Sequence, residues 1–195
     1  MTVIDSSDGR PVLVRAGETE ILGDSPNTME LLADAETTGG LVSAIRSKIG
    51  KDTDGPPPHY HNEAAEIFYI IDGGLHVLTG DQVVTVGTAD FLLVPPRTPH
   101  AFSTPTHTGV DMLIFKPGAE RFDYFRLGNR VRRGEASPQE ILDSQDRYDN
   151  HFHDSPVWRR FRGSEAEGRL LALPPRDDAT PAPDSLTTEG DPRWT

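Results

Sequence analysis

The sequence predicts an all-β fold, a barrel of jelly-roll type, followed by C-terminal helices and an acidic tail. Three observations predict it. Up to residue 116, short alternating or apolar runs recur between turn residues. After Pro117-Gly118 the apolar residues move to helical spacing, and from Gly163 onward they thin out among Pro, Asp, Glu, Ser and Thr. Many short strands with regular turns favour a sandwich or barrel, and a jelly roll protects its edges while leaving an interior for a ligand.

In chain order, strands are expected at residues 12–15, 28–33, 40–49, 66–71, 75–79, 82–86, 90–94, 101–103 and 110–115. Asp72-Gly73-Gly74 is a turn signal between the fourth and fifth of these. Thr79-Gly80-Asp81-Gln82 is a hairpin signal, because Gly80 adopts positive φ at little cost. Phe122, Phe125 and Val131 then predict a helix over 119–133, stopped by Gly134. Ser137-Pro138-Gln139-Glu140 reads as a capping box that opens a second helix running to about residue 148. Residues 156–161 predict one further turn whose aromatics pack on the barrel. The expected divisions are therefore a barrel over 1–117, a helical extension over 118–162 and a Pro-rich tail over 163–195. That tail is read as disordered, with a brief helical turn at 169–171.

Composition narrows the partners. With 19 Lys and Arg against 31 Asp and Glu, the net charge is −12. Such a charge repels nucleic acid and anionic membrane, so neither is expected as a partner. No run of 18 apolar residues occurs, and the first residues lack a basic region followed by an apolar stretch. A cytoplasmic protein is the default expectation. Cys is absent, so any metal site must be built from His and carboxylates.

The chemistry concentrates in His59-Tyr60-His61, Glu66 and His100. Residues two apart on an extended strand share a side, so His59 and His61 can reach one ion together. Glu66 lies five positions beyond His61, so residues 62–65 must turn before the next strand begins. On that strand Glu66 heads an apolar row with Phe68 and Ile70. Three imidazoles and one carboxylate suit Fe, Mn, Co, Ni or Zn better than Ca or Mg, and leave coordination positions open. A His-x-His pair alone is weak, since seven His in 195 residues give one by chance roughly one time in four. The chain has a second such pair, His151-Phe152-His153, read as flanking a helix end and not as a site.

The whole constellation resembles the cupin superfamily. His59-x-His61-x4-Glu66-x6-Gly73 is similar to the first cupin motif, and Gly87-x7-Pro95-x4-His100 to the second. The resemblance covers about residues 39–117 and implies a single cupin jelly-roll barrel with His59, His61, Glu66 and His100 as metal ligands. Four departures accompany it. Gly55 sits four residues before the first His where six is usual, and Gly87 comes two residues early. Arg97 replaces a loop glycine, and Thr104 stands where Asn is common.

Similarity to small bacterial quercetinase-like dioxygenases extends to the layout of one cupin followed by helices after a Lys-Pro-Gly segment. It implies an enzyme that uses one divalent transition metal (Fe, Mn, Ni or Co ahead of Zn), dioxygen and a small aromatic or enolisable substrate. In that resemblance Glu66 also takes the substrate's hydroxyl proton. The alternatives are a non-oxidative metal-dependent isomerase, cyclase or decarboxylase, and a binding or sensing module without turnover. No other cofactor-binding residue is assigned.

The remaining features read blandly. Tyr60 faces away from the metal, and Arg46 and Lys48 form a solvated face in preference to a substrate anion clamp. His76 and His107 are exposed strand or loop residues. Phe68, Ile70, Phe91, Leu93, Phe102, Met112 and Ile114 are core, with a few lining a pocket. Outward-facing Ile67, Tyr69 and Ile71 are compatible with a homodimer.

Overall fold

The computed structural model describes residues 11–172, with side chains described through residue 164. These residues belong to two compact units that divide after Phe161. The barrel and its site lie in the first, and of the second the backbone is helical to residue 172.

Among the described residues ten antiparallel strands build the barrel: β1 (Glu20–Asp24), β2 (Asn27–Ala33), β3 (Val42–Ile49), β4 (His59–Tyr60), β5 (Glu66–Thr79), β6 (Gln82–Gly87), β7 (Phe91–Val94), β8 (His100–Ser103), β9 (Val110–Pro117) and β10 (His151–Phe152). The helices are α1 (Phe122–Arg132), α2 (Pro138–Asp143) and α3 (Pro156–Ala172). The main path runs β1-β2-β3-β9-β5-β8-β4-β10, with β6 and β7 both paired to β5.

β5 organises the barrel. Its first half pairs with β7 and β9, and its second half with β6 and β8. One strand thus serves two sheets, and it changes direction at Asp72-Gly73-Gly74. Those residues were expected as a turn between two strands; they are instead a bend inside one. The register against β9 shifts between Ile70 and Asp72, and Gly73 takes φ +81°. A Cβ on Gly73 would sit 2.0 Å from the Gly109 carbonyl oxygen, so both the conformation and the close approach require glycine.

Other expectations change too. Residues 12–15 are not a strand; the first strand is β1, which the sequence reading missed. The capping box at Ser137 and Glu140 is present, but α2 stops at Asp143, well short of residue 148. α3 continues to Ala172, so residues 163–172 are helical where a tail was expected. Residues 173–195 of that expected tail lie outside the described residues.

The core gathers the inward sets of the sheets: Ile45, Phe68, Ile70, Leu75, Val77, Phe102, Val110, Met112 and Ile114 are buried together. Phe91 and Leu93 are not among them, being 64% and 47% exposed. They pair with Tyr69 and Ile67 on the outer side of β5, the opposite face of the pleat from Phe68. Trp158 and Phe161 of α3 pack with Leu78 and Ala101, as expected of aromatics in that segment. Among the described residues, no helix is long and apolar enough to cross a membrane.

Candidate metal centre

Four elements converge on one point. β4 presents His59, the following segment His61, the head of β5 Glu66, and the head of β8 His100. His59 and His100 are direct cross-strand partners, with ring centroids 4.4 Å apart. One ligand atom from each of the four residues falls within 4.8 Å of all the others, and all four side chains are buried.

The imidazoles are oriented from behind. Nδ1 of His59 bonds the Pro57 carbonyl and Nδ1 of His100 the Thr98 carbonyl, each at 2.9 Å. Nδ1 of His61 bonds the Asp149 carbonyl, 88 residues later in the chain. A carbonyl only accepts, so each Nδ1 carries the proton and each Nε2 is left with a lone pair. Nε2 of His61 and of His100 then lie 3.0 and 2.7 Å from Glu66 Oε2. Lone pairs facing a carboxylate at that range need a cation between them, either protons or a metal ion. Burial pushes His59 down to about 3, helped by repulsion from His100, and burial also lowers His61. Neutral imidazoles are the ligand form, so the donor set fits a divalent ion. Burial alone would raise Glu66. Where protons sit on Nε2 of His100 and His61, their hydrogen bonds outweigh it and hold the carboxyl well below its usual range; a metal ion in their place would do the same by its charge.

Behind the ligands lies a layer that sequence reading missed. Asp149, at φ +47°, accepts from the backbone N–H groups of Asn62 and Glu63 at 2.7 and 3.0 Å, clamping the turn between His61 and Glu66. Burial raises Asp149, but these two bonds prevail and its carboxyl is lowered. Lys116 is buried at the end of β9, where burial and the Arg121 charge bring its amine down to about 7. Arg121 is buried as well. It donates to the Tyr148 carbonyl and to Asn150 Oδ1, and its guanidinium lies 4.5 Å from the Tyr124 ring centroid. Among the described residues no carboxylate comes within 4.0 Å of that guanidinium. Asn150 Nδ2 is buried without a hydrogen-bond partner, an arrangement that costs about 1–3 kcal/mol when nothing fills it.

Lys116 had a visible signal. Val110, Met112 and Ile114 face inward at alternate positions of β9, and a Lys continues that row. Asp149 and Asn150 had little, since they meet the motif only through tertiary contact.

The departures from the usual motif are accommodated. Arg97 occupies the glycine position and keeps the left-handed backbone, φ +63°, with its N–H donating to the His61 carbonyl at 2.6 Å. Thr104 is buried and donates to the Gly50 carbonyl at 2.7 Å while accepting from Thr53 N–H. Gly55 lies flat on Phe102, where a Cβ would meet the ring at 2.3 Å.

The other polar residues stay off the centre. His151 joins β10, which pairs with β4, and stacks on Tyr60 at 5.3 Å; it does not flank a helix end. Arg46 is paired with Asp111 at 2.8 and 2.7 Å, which leaves it on the outer face. His76 is half-buried, against the expectation of exposure, with Phe161 beside it at 5.1 Å.

His59 and Glu66 open onto a cavity of about 1110 Å³. Most of its exposed wall is apolar, from residues such as Leu22, Met29, Ile45, Phe102, Ile114 and Phe125, and its polar lining includes Lys48, Arg121, Tyr124, Arg132 and Asn150. α1 and α2 supply one wall, so the helical extension encloses the site.

Comparison with known proteins finds distant similarities. The quercetin 2,3-dioxygenase of Bacillus subtilis is 27% identical over 108 residues, covering 55% of this chain. The match spans only 32% of that relative's length. Among solved structures, an RmlC-like cupin from Shewanella frigidimarina aligns at TM-score 0.48 and 19% identity, over 59% of this chain and 96% of its own. The polyketide cyclase RemF from Streptomyces resistomycificus aligns at TM-score 0.46 and 18% identity, over 57% and 82%. Residues 46–116 match the family profile described as "Cupin domain". That match assigns a cupin domain to residues 46–116, about a third of the chain.

Proposed function

We propose that the chain is a metal-dependent cupin oxygenase acting on a small aromatic or enolisable substrate. The observation that carries this is the buried donor set of His59, His61, Glu66 and His100, open on one side to an apolar cavity. The distant dioxygenase relative supports the choice of oxygen chemistry. A first-row ion held there, Fe, Mn, Ni or Co ahead of Zn, would supply positive charge to a developing oxyanion and redox chemistry with dioxygen.

The chain's own residues do the rest. His59, His61 and His100 hold the ion, each steadied through its Nδ1–H. Glu66 is ionised at neutral pH and accepts the substrate's hydroxyl proton at Oε2 or Oε1. The transfer is favoured where nearby positive charge stabilises the resulting oxyanion. The apolar walls exclude water and orient the ring.

Elemental analysis of the purified chain, beside a His59→Ala/His100→Ala variant, is the first test. Near-stoichiometric Fe, Mn, Ni or Co should fall more than tenfold in the variant, and oxygen uptake should follow addition of a flavonol. Bound metal without oxygen uptake would replace the oxygenase with a non-oxidative Lewis-acid enzyme. No metal, even after reconstitution, would leave a binding module.

A further inference from the structure

Asn150 is 2% exposed, lines the cavity and keeps an unused donor. Its orientation is fixed by chemistry. Arg121 offers only donors, so the Asn150 oxygen must face the guanidinium, 3.2 Å away, and Nδ2 must point elsewhere. Nδ2 carries two N–H groups: the Tyr124 phenol lies near enough for the amide to lower its pKa by hydrogen bonding, yet no group among the described residues meets full hydrogen-bond geometry at Nδ2. Burial raises the Tyr124 pKa, so its hydroxyl keeps its proton as a second donor in the same wall. The Arg121 guanidinium behind them donates to the Tyr148 carbonyl and to Asn150 Oδ1, while the Glu66, Asp149 and Asp34 carboxylates act on it from further away.

We propose that Asn150, backed by Arg121 and flanked by Tyr124, is the subsite for an oxyanion or carbonyl oxygen of an apolar, ring-bearing ligand. This oxygen is distinct from any group bound at the four-residue centre. The subsite rests on the reading of the cavity as a substrate pocket, and it narrows the substrate class. The molecule carries an anionic or strongly accepting oxygen on an otherwise apolar frame. A buried donor is costly without an acceptor and favourable with one, so a neutral hydrocarbon of the same shape is disfavoured. Asn150 is a binding residue here, and Arg121 a positioning residue that sets its amide.

Calorimetric titration of the full chain under nitrogen, with 2-naphthoate and with 2-methylnaphthalene, tests the assignment. The native protein should bind the anion at least tenfold more tightly than the hydrocarbon, before and after metal removal. Asn150→Ala should lower that preference about fivefold or more and leave 2-methylnaphthalene binding within twofold. Asn150→Asp keeps an acceptor for Arg121 and hence the local fold, but replaces the donor with a negative charge; it should abolish the preference. An unchanged preference in Asn150→Asp, or none in the native chain, overturns the subsite. No oxygen is consumed in these titrations. Retained preference without oxygen uptake therefore rejects only the oxygenase, and oxygen uptake without preference rejects only the subsite.

Discussion

A histidine binds metal only when neutral, and the burial that makes His59 neutral also leaves a signature in stability. Its pKa is about 3 in the fold against 6.5 ordinarily, so between those values the unfolded chain holds the extra proton. Stability of the metal-free protein should therefore fall as pH drops from about 6.5 toward 3, by up to about 1.4 kcal/mol per pH unit. Urea unfolding of chelator-treated protein at several pH values measures the slope, which His59→Ala should flatten. An equal slope in both would count against buried neutral histidine. At this scale the four candidate ligands were legible, because strand alternation and a short turn place them without tertiary knowledge. Lys116 carried a signal in its place in an inward row, but it went unread. Asn150 was not, since an Asn in a turn-rich segment has no local mark that separates a buried donor from an exposed one.

Among the elements, β5 shows where local rules stop. Asp72-Gly73-Gly74 has turn composition, and a turn there was the natural expectation. The partners on either side keep the backbone extended and convert the turn into a bend. Gly73→Ala should destabilise the protein by about 2–4 kcal/mol, combining left-handed strain with a backbone clash that cannot relax. Equilibrium denaturation would check it, and a loss under 1 kcal/mol would mean the bend is not rigid. The short strands β4 and β10 were illegible as a pair, because two residues 91 positions apart (Tyr60 and His151) reveal no pairing in a single sequence. Their junction makes a second prediction. Asp149→Ala removes the acceptor of two N–H groups beside His61 and should weaken metal affinity about 10–100-fold, with near-native far-UV circular dichroism. Competition with a metallochromic chelator reads this directly.

For the whole molecule, the barrel and the helical extension share one cavity, so ion binding should be felt globally. Saturation to about 100 times Kd adds roughly 2.7 kcal/mol and, in a chain of this size, about 5–10 °C in thermal midpoint. Differential scanning fluorimetry with and without Mn or Co would show it, and a shift under 2 °C would argue for a preformed site of little affinity. The class of fold was readable at this scale because alternation and turns recur along the chain. The enclosing role of α1 and α2 was not, because an amphipathic face does not name what it covers. Order of synthesis follows from one contact. A growing chain has all four donor side chains once residue 100 has left the ribosome, yet the carbonyl that steadies His61 arrives 88 residues after it. Ion capture accordingly comes after the C-terminal segment has been made and threaded back beside β4. A chain stopped short of Asp149 would hold an ion at this site loosely, and one extended past it would keep it.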